Sequence, residues 1–571
     1  MADLLKYLPT TRKEMELRGW SEVDIVFFTG DAYIDHPSFG AAVLGRVLEA
    51  AGYKVAIVPQ PDWHGDYRDF KKFGRPKLYF AVSAGSMDSM VNHYTAAKRK
   101  RSDDAYTPEG RAGARPDYCA ITYCRILKGL YPDVPIVIGG IEASMRRLTH
   151  YDYWQNKLMP SILVDSGADL LVYGMGEQAM TEIADKIKNE KSKINNGLPH
   201  DVPQTAFLTT DKREIPAGAI MLASHEEAMR DKRAHAENFR LMEIESNKIN
   251  QTTLVQPVGN RFVVVNPSFP PITTEQLDAI YDLPYQYTPH PKYKDKRIPA
   301  YEMIKWSVCM HRGCFGGCSF CTISAHQGKQ IISRSKASIL RQIERLSQQP
   351  DWHGVISDLG GPSANMYQMH GKDISICEKC ARPSCLQPAI CKNLNCDFAP
   401  LIDIYRTVDK LPYVKHAFVG SGIRYDLMSE EYARQLITRH VSGRLKVAPE
   451  HSSDSVLHVM RKPSWGSYLR FRELFMRINK EAGLNQQLIP YFISSHPGCT
   501  KQDMRLLAQE TKQMRYHTEQ VKAFTPTPMT LSTTMFYTGI NPYTRKPIYV
   551  ARTPEEKKQQ NQYFFWYKNN K

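Results

Sequence analysis

Nine of the twelve cysteines in this 571-residue chain fall between Cys309 and Cys396. A disulfide-stapled secreted domain is usually short and cysteine-rich throughout, because a small core needs covalent help. A long chain with its thiols gathered in one patch points instead to metal or cluster ligands. The opening residues, MADLLKYLPTTRKEMELRGW, lack the basic-then-apolar order of a secretory signal. No apolar run approaches the roughly 18 residues that a membrane helix needs. The expected location is cytoplasmic, with no membrane partner. Lys and Arg number 75 against 59 Asp and Glu, an excess of 16. Spread over so long a chain, that excess permits an anionic partner without identifying one.

The length allows roughly three to four domain-sized units. Residues 1–190 alternate short apolar runs with amphipathic stretches: VDIVFFTG, AAVLGRVLEAAGY, KVAIVPQP, LYFAVSA, PIVIGGIEA and LLVYGMGEQAM. This alternation predicts a doubly wound α/β domain with a mostly parallel sheet. Ligands of such folds bind at the C-terminal strand ends, where Gly139-Gly140 and Gly174 to Glu177 fall. Residues 191–300 read as a connector with one charged helical stretch (225–248), one strand-like run at RFVVVNP and a proline-rich crossing at LPYQYTPHPKY. A second α/β series over 301–530 has candidate strands at 304–308, 354–359, 416–422, 444–450, 487–494 and 520–526. Six strands with helical crossovers fit a parallel sheet curled into part of a barrel, with a cysteine-rich insertion at 371–400. Residues 531–571 read as a C-terminal tail.

Immediately after the first strand of the second series comes Cys309-Met-His-Arg-Gly-Cys314-Phe-Gly-Gly-Cys318-Ser-Phe-Cys321. Its core, Cys314-x3-Cys318-x2-Cys321, places three thiolates on one short loop. A [4Fe–4S] cube held by three cysteines keeps one iron open for a substrate or cofactor. Gly313, Gly316 and Gly317 allow the backbone to fold tightly around such a cluster, and their N–H groups can soften its negative charge. The competing reading is structural zinc, which wants four ligands and would recruit Cys309. The spacing favours the cluster.

The C-x3-C-x2-C loop after a first barrel strand resembles that of the radical S-adenosylmethionine (radical SAM) superfamily. Longer stretches, RGCFGGCSFC, DLGGPSANMY and FTPTPMTLSTTM, resemble the YgiQ-type radical SAM family, UPF0313, over almost the whole chain. The resemblance implies a (β/α)6 partial TIM barrel preceded by a cobalamin-binding-like α/β domain. It implies that Cys314, Cys318 and Cys321 hold a [4Fe–4S] cluster whose open iron binds the amino and carboxylate groups of S-adenosylmethionine. One-electron cleavage would then yield methionine and a 5′-deoxyadenosyl radical that abstracts hydrogen from an unknown substrate. A flavodoxin or ferredoxin would serve as electron donor. Gly360 and Gly361 match the backbone segment that meets the methionine amino group, although Pro362 stands where an acidic residue is common. Glu450, in KVAPEH, falls where the fourth strand meets the ribose. In FISSHPGCT, Ser495 and Cys499 replace the Gly and Glu of the fifth-strand signature.

A second array, Cys377-x2-Cys380-x4-Cys385-x5-Cys391-x4-Cys396, packs five thiols into 20 residues. An auxiliary Fe–S cluster and a zinc ion both fit this spacing. The family resemblance favours Cys377, Cys380, Cys385 and Cys391 over Cys396 as ligands. In the first domain the resemblance leaves cobalamin open. The usual cobalt-ligand motif Asp-x-His-x-x-Gly is not matched by Asp35-His36-Pro-Ser-Phe-Gly40, so His36 reads as a turn residue. Cys119 and Cys124 flank strand-like sequence and read as core thiols. Lys98 to Arg101 is the most basic run. Nucleic-acid contact is one reading of it, but a solvated loop is favoured, since no aromatic platform accompanies it in sequence. The tRNA methylthiotransferases share this domain order but carry three cluster cysteines in the first domain. A methyl- or methylthio-transferase acting on RNA or protein therefore stands as an alternative. From a different class, so does a non-catalytic zinc-stapled nucleic-acid-binding protein.

Overall fold

Runs of branched and aromatic residues, buried on both faces, build the central sheet of the first half of the protein. Its parallel strands are β1 (Ile25–Thr29), β2 (Val55–Pro59), β3 (Tyr79–Ser83), β4 (Ile136–Gly139) and β5 (Leu170–Val172). They stand in the order β2-β1-β3-β4-β5, with helices α1 (Gly40–Ala50), α2 (Cys119–Leu130), α3 (Gly140–Met145) and α4 (Glu177–Asn189) in the connections. That order is doubly wound, with its switch point between β1 and β3. In the computed structural model, residues 4–189 and 198–568 are described, so the expected boundary at 190/191 lies outside them.

The sheet continues through residues read from the sequence as connector. β6 (Thr205–Thr209), β7 (Ile220–Met221), β8 (Leu254–Val258) and β9 (Arg261–Val265) extend it in the order β7-β8-β9-β6 beyond β5. β6 joins β5 antiparallel, and β9 joins both β6 and β8 antiparallel. β6, β8 and β9 each carry one or two half-buried positions, where β1 to β3 are buried throughout. The stretch around Ile121–Cys124, strand-like in composition, is helical in α2. Its buried residues Cys119, Ala120, Tyr123, Cys124 and Leu127 recur at helical spacing, so the period outweighs local β-propensity.

The chain divides into two compact units. One comprises the chain up to Ala234 with Asn250–Ile272 and Ala279–Lys305; the other comprises His235–Ile249, Thr273–Asp278 and the chain from Trp306 onward. Helix α5 (Lys232–Ser246) thus enters the second unit.

In the second unit, β10 (Ser307–Cys309) pairs in parallel with β12 (Asp358–Gly360), and β11 (Val355–Ile356) with β13 (His416–Ala417). β14 (Arg444–Glu450), β15 (Gln487–Ser494) and β16 (Gln520–Ala523) form a second parallel arc. Amphipathic helices α6 (Lys336–Ser347), α7 (Ala399–Val408), α8 (Glu430–Arg439), α9 (Asp454–Met460), α10 (Trp465–Glu481) and α11 (Lys501–Gln513) lie in the crossovers. The fold is α/β, with these seven strands in two parallel pairs and one three-stranded parallel arc. Among the described residues no ladder joins β13 to β14. The last segment, read from the sequence as a tail, contributes α12 (Leu531–Thr538) and α13 (Pro554–Gln562), with Phe536 and Gln560 buried.

Candidate metal centre and cofactor face

Cys314, Cys318 and Cys321 occupy the loop after β10. Burial raises the Cys314 thiol and pushes Cys321 up to about 12; Cys318 adds to both shifts, and Lys462 opposes them. Arg424 Nη1 stands 3.6 Å from Cys318 Sγ. Its guanidinium is also clamped to Asp426 by bonds of 2.8 and 2.7 Å. Two donors of the loop's own backbone, the N–H groups of Gly316 and Ile323, lower the Cys314 and Cys321 thiols respectively. Cys309 Sγ donates to His311 O at 3.2 Å, and its backbone pairs with Gly360.

The loop glycines answer to close approaches as well as to chain reversal. At Gly313 (φ +85°) a Cβ would come within 1.9 Å of Gln330 O, and at Gly317 (φ +61°) within 2.2 Å of Pro383 O. Ser319, between the second and third cysteines, is held from two sides. Its N–H donates to Met460 O at 3.0 Å, and its carbonyl accepts from Ser532 N–H at 2.9 Å. Ser532 Oγ bonds Ser319 Oγ at 2.8 Å and His496 Nε2 at 2.6 Å. A small cleft adjoins the loop, lined by Phe239, Met242, Cys318, Cys321, Pro383 and Leu531.

Beside this loop, the ends of β14 and β15 carry polar groups that the protein itself leaves uncommitted. Pro449 has no N–H to give the ladder, and the register shifts between Val447 and Glu450. Glu450 follows in the left-handed region (φ +71°), buried, with Lys462 Nζ at 3.9 Å. Burial raises its carboxyl, while Lys462, Lys522 and Arg424 oppose the rise. Ser495 also adopts a left-handed conformation (φ +61°), which explains why glycine suits this position in the fifth-strand signature. The buried hydroxyls of Ser452, Ser494 and Ser495 have no hydrogen-bond partner among the described residues. Such groups cost about 1–3 kcal/mol each when left unbonded, so they mark a surface suited to a polar ligand. Gly360 O accepts Met310 N–H at 2.7 Å, leaving one lone pair, and Gly361 follows at the end of β12.

The second array divides. Cys377, Cys380 and Cys391 all act on Cys385, whose thiol burial pushes up to about 11, and Lys329 opposes the rise. Cys396 is influenced by Lys372 and by none of the other cysteines. Among the described residues, no three His, Cys, Asp or Glu side chains stand close enough to grip one ion as placed. A tetrahedral zinc with Zn–S bonds of about 2.3 Å draws its thiolates to within about 4 Å of one another. A four-iron cube seats each thiolate on a different iron, so its cysteines need not meet at a single ion.

Over 99% of its length the chain is 58% identical to a UPF0313 protein of Bacteroides thetaiotaomicron, covering 94% of that relative. It is 57% identical to a UPF0313 protein of Porphyromonas gingivalis over 99% of this chain and 91% of the relative. The chain belongs to the UPF0313 family. A family model described as "Radical SAM N-terminal" matches residues 7–307, and one described as a domain of unknown function, DUF3362, matches 519–571. This UPF0313 chain is thereby a member of the radical SAM superfamily. Among solved structures it is similar to TsrM of Kitasatospora setae, a radical S-adenosylmethionine methyltransferase (TM-score 0.48, 15% identity, 89% of this chain and 75% of that one). It is also similar to OxsB, a cobalamin-dependent S-adenosylmethionine radical enzyme (TM-score 0.47, 10% identity, 87% and 53%).

Several residues of this UPF0313 chain's site escape a reading by spacing. Arg424 lies 106 positions beyond Cys318 and is anchored by Asn365 of the DLGGPSANMY stretch. Asn365 Oδ1 accepts Arg424 N–H at 2.8 Å, and its amide donates to Arg424 O at 2.9 Å. Lys462 and Ser532 likewise reach the loop only through folding. Cys499 and His451, 3.5 Å apart, are both held neutral by burial, with the thiol pushed up to about 12 and the imidazole down to about 4. Burial thus favours the neutral thiol there.

In the first unit, Gly140 opens α3 and Glu177 opens α4 at the strand ends. Asp31, just past β1, accepts from Ser86 N–H and Oγ at 2.7 and 2.8 Å and faces Arg115 at 3.2 Å. His36 Nδ1 accepts Ser38 N–H at 3.1 Å, and its buried ring packs edge-on against Tyr287. Cys119 and Cys124 are buried in α2. Lys98 has an aromatic neighbour that sequence order concealed, Tyr153, with its Nζ 4.7 Å from the ring centroid. Among the described residues no helix is long and apolar enough to cross a membrane.

Proposed function

We propose that this UPF0313 chain is a radical SAM enzyme whose Cys314, Cys318 and Cys321 hold a [4Fe–4S] cluster with one iron open to S-adenosylmethionine. The observation that supports the reading is three cysteines on one short loop that is hydrogen-bonded from several sides, beside strand ends whose buried hydroxyls have no partner among the described residues. When bound, such a cluster supplies the electron that splits S-adenosylmethionine into methionine and a 5′-deoxyadenosyl radical, which takes a hydrogen atom from the substrate.

The chain's own residues bind, orient and tune. Arg424 and Lys462 place positive charge beside thiols that must ionise to ligate. Asp426 fixes the Arg424 fork, so its orientation survives in the absence of ligand. The backbone at Gly360 and Gly361 would meet the amino group of S-adenosylmethionine. Glu450 would accept from its ribose hydroxyls, and Ser495 would line the same face. The first unit leaves cobalamin open: His36 Nδ1 accepts Ser38 N–H, while its buried Nε2 has no hydrogen-bond partner among the described residues. Cytoplasmic flavodoxin or ferredoxin fits the need for one electron at a time.

Anaerobic reconstitution tests the reading. About four irons or more per chain, with 5′-deoxyadenosine released, is the expected result. Cys314→Ala, Cys318→Ala and Cys321→Ala should each abolish that release, whereas Cys309→Ala should retain it. Zinc in place of iron, with no cleavage, would overturn the assignment.

A further inference from the structure

A second cleft, of about 660 Å3, opens within the second unit. Sites for small molecules are commonly about 300–1,000 Å3. Four stretches of chain wall it: residues 386–390 of the cysteine insertion, residues 425–428 after β13, helix α9 with Lys462 and Pro463 beyond it, and one face of α10. Much of the lining is apolar. Tyr425 and Phe471 stack there, with ring centroids 6.0 Å apart and planes at 27°. Met428 and Leu474, both half-buried, add aliphatic surface, and Ile390 lines the cleft while 46% exposed.

The polar groups of the cleft differ in what they still have to offer. Asp426 is occupied by the Arg424 guanidinium, which reaches both its oxygens at 2.8 and 2.7 Å. Asp454, exposed to solvent, accepts Trp465 N–H at 2.8 Å. Lys462 is buried, its side chain 6% exposed, and Glu450 Oε1 lies 3.9 Å from its ammonium. That separation is too long for a hydrogen bond and leaves its three N–H donors open. Tyr425 is buried as well, and its hydroxyl has no hydrogen-bond partner among the described residues. Burying an ammonium or a hydroxyl without a bonding partner is costly, so both groups are suited to a ligand that supplies acceptors. Arg470 and His458, both exposed, line the cleft from α10 and α9.

Two of these residues tie the cleft to the cofactor face. Lys462 stands beside Glu450, and Asp426 holds the guanidinium whose Nη1 is 3.6 Å from Cys318 Sγ. A molecule bonded to Lys462 in this cleft is thus one side chain removed from Glu450, and one lying on Asp426 is one side chain removed from the cysteine loop.

We propose that this cleft is the substrate site and that it takes a small organic acid with an apolar body. The acid group meets Lys462, the Tyr425 hydroxyl is a further donor along the wall, and the apolar body lies against Phe471, Met428 and Leu474. The proposal rests on the radical SAM reading, because a substrate has to be held where the cleaved cofactor can reach it.

The test uses the full chain, reconstituted anaerobically with iron and sulfide, and three probes of one shape but different charge: 4-phenylbutyrate, 4-phenylbutanamide and 4-phenylbutylamine. Ligand-observed NMR reads their affinities, and reducing the cluster to its paramagnetic state reads their distance from it. Wild type should bind the acid about tenfold more tightly than the amide, the worth of one charge-assisted hydrogen bond, and the amine more weakly still. Reduction should broaden the resonances of the bound acid. Lys462→Met should bring the acid down to the affinity of the amide, and Lys462→Arg should restore the preference. Leu474→Trp, which fills the cleft, should weaken all three probes; it decides the matter together with the wild-type series if Lys462→Met does not fold. Equal binding of the three probes would overturn the proposal, as would an acid preference that survives Lys462→Met or resonances that reduction leaves sharp. If Leu474→Trp abolishes the change that S-adenosylmethionine makes in the EPR spectrum, the cleft belongs to the cofactor and the substrate assignment falls. None of these results touches the radical SAM reading, which falls only if wild type holds no iron and cleaves nothing.

Discussion

Single residues at the ends of β14 and β15 carry strain that a glycine would relieve. Ser495 sits at φ +61° with its buried hydroxyl unbonded among the described residues. A left-handed conformation costs a non-glycine residue about 1–2 kcal/mol, and the unpaired hydroxyl adds to that. Ser495→Gly is therefore expected to raise stability by about 1 kcal/mol while raising the KM for S-adenosylmethionine, a trade expected where a polar group waits for a ligand. Chemical denaturation and steady-state cleavage assays read the two effects. Equal or lower stability would argue that the backbone there is not strained. The spacing of the three loop cysteines is visible at this scale in the sequence. Arg424 and Lys462 are not, because lone charged residues at those positions carry no local signal until the chain has brought them beside the loop.

At the scale of elements, periodicity placed most of the strands and helices. β14 and β15 match the predicted 444–450 and 487–494 at both ends, since each is a long run with apolar residues on the buried side. β13 keeps only His416–Ala417 of a predicted seven-residue strand, because Asp358 accepts the N–H groups of Gly420 and Ser421 in place of a ladder partner. The polar C-terminal segment was read as a tail on composition, and α13 shows the cost of that reading. Its Gln560, fully buried, accepts Ser495 N–H at 2.8 Å and donates to Cys499 O at 2.8 Å. Gln560→Ala would orphan two buried backbone groups, each worth about 1–3 kcal/mol. The expected result is a lower denaturation midpoint for the second unit and weaker S-adenosylmethionine binding. A variant as stable as wild type would show that α13 is dispensable.

For the whole molecule, the division into two compact units predicts two unfolding transitions in calorimetry. The cysteine loop, Glu450, Ser495 and Gly360 all belong to the second unit. S-adenosylmethionine at about 100 times its Kd should therefore stabilise only the second transition, by about 2.7 kcal/mol, and leave the first in place. A shift of both transitions would assign part of the cofactor's contacts to the first unit. By itself the sequence determined the α/β class, the parallel strands whose apolar runs are long and unbroken, and the three-cysteine loop. Those are properties of neighbours in the chain, and spacing records them. Tertiary structure decided that residues 205–265 extend the first sheet and that Asn365 anchors the arginine beside Cys318. It also decided that α12 and the cysteine insertion hydrogen-bond to the loop of Cys314, Cys318 and Cys321. Each of these joins residues tens to hundreds of positions apart, so the signal exists in the packing and hydrogen bonding of the folded chain rather than in any window of its sequence.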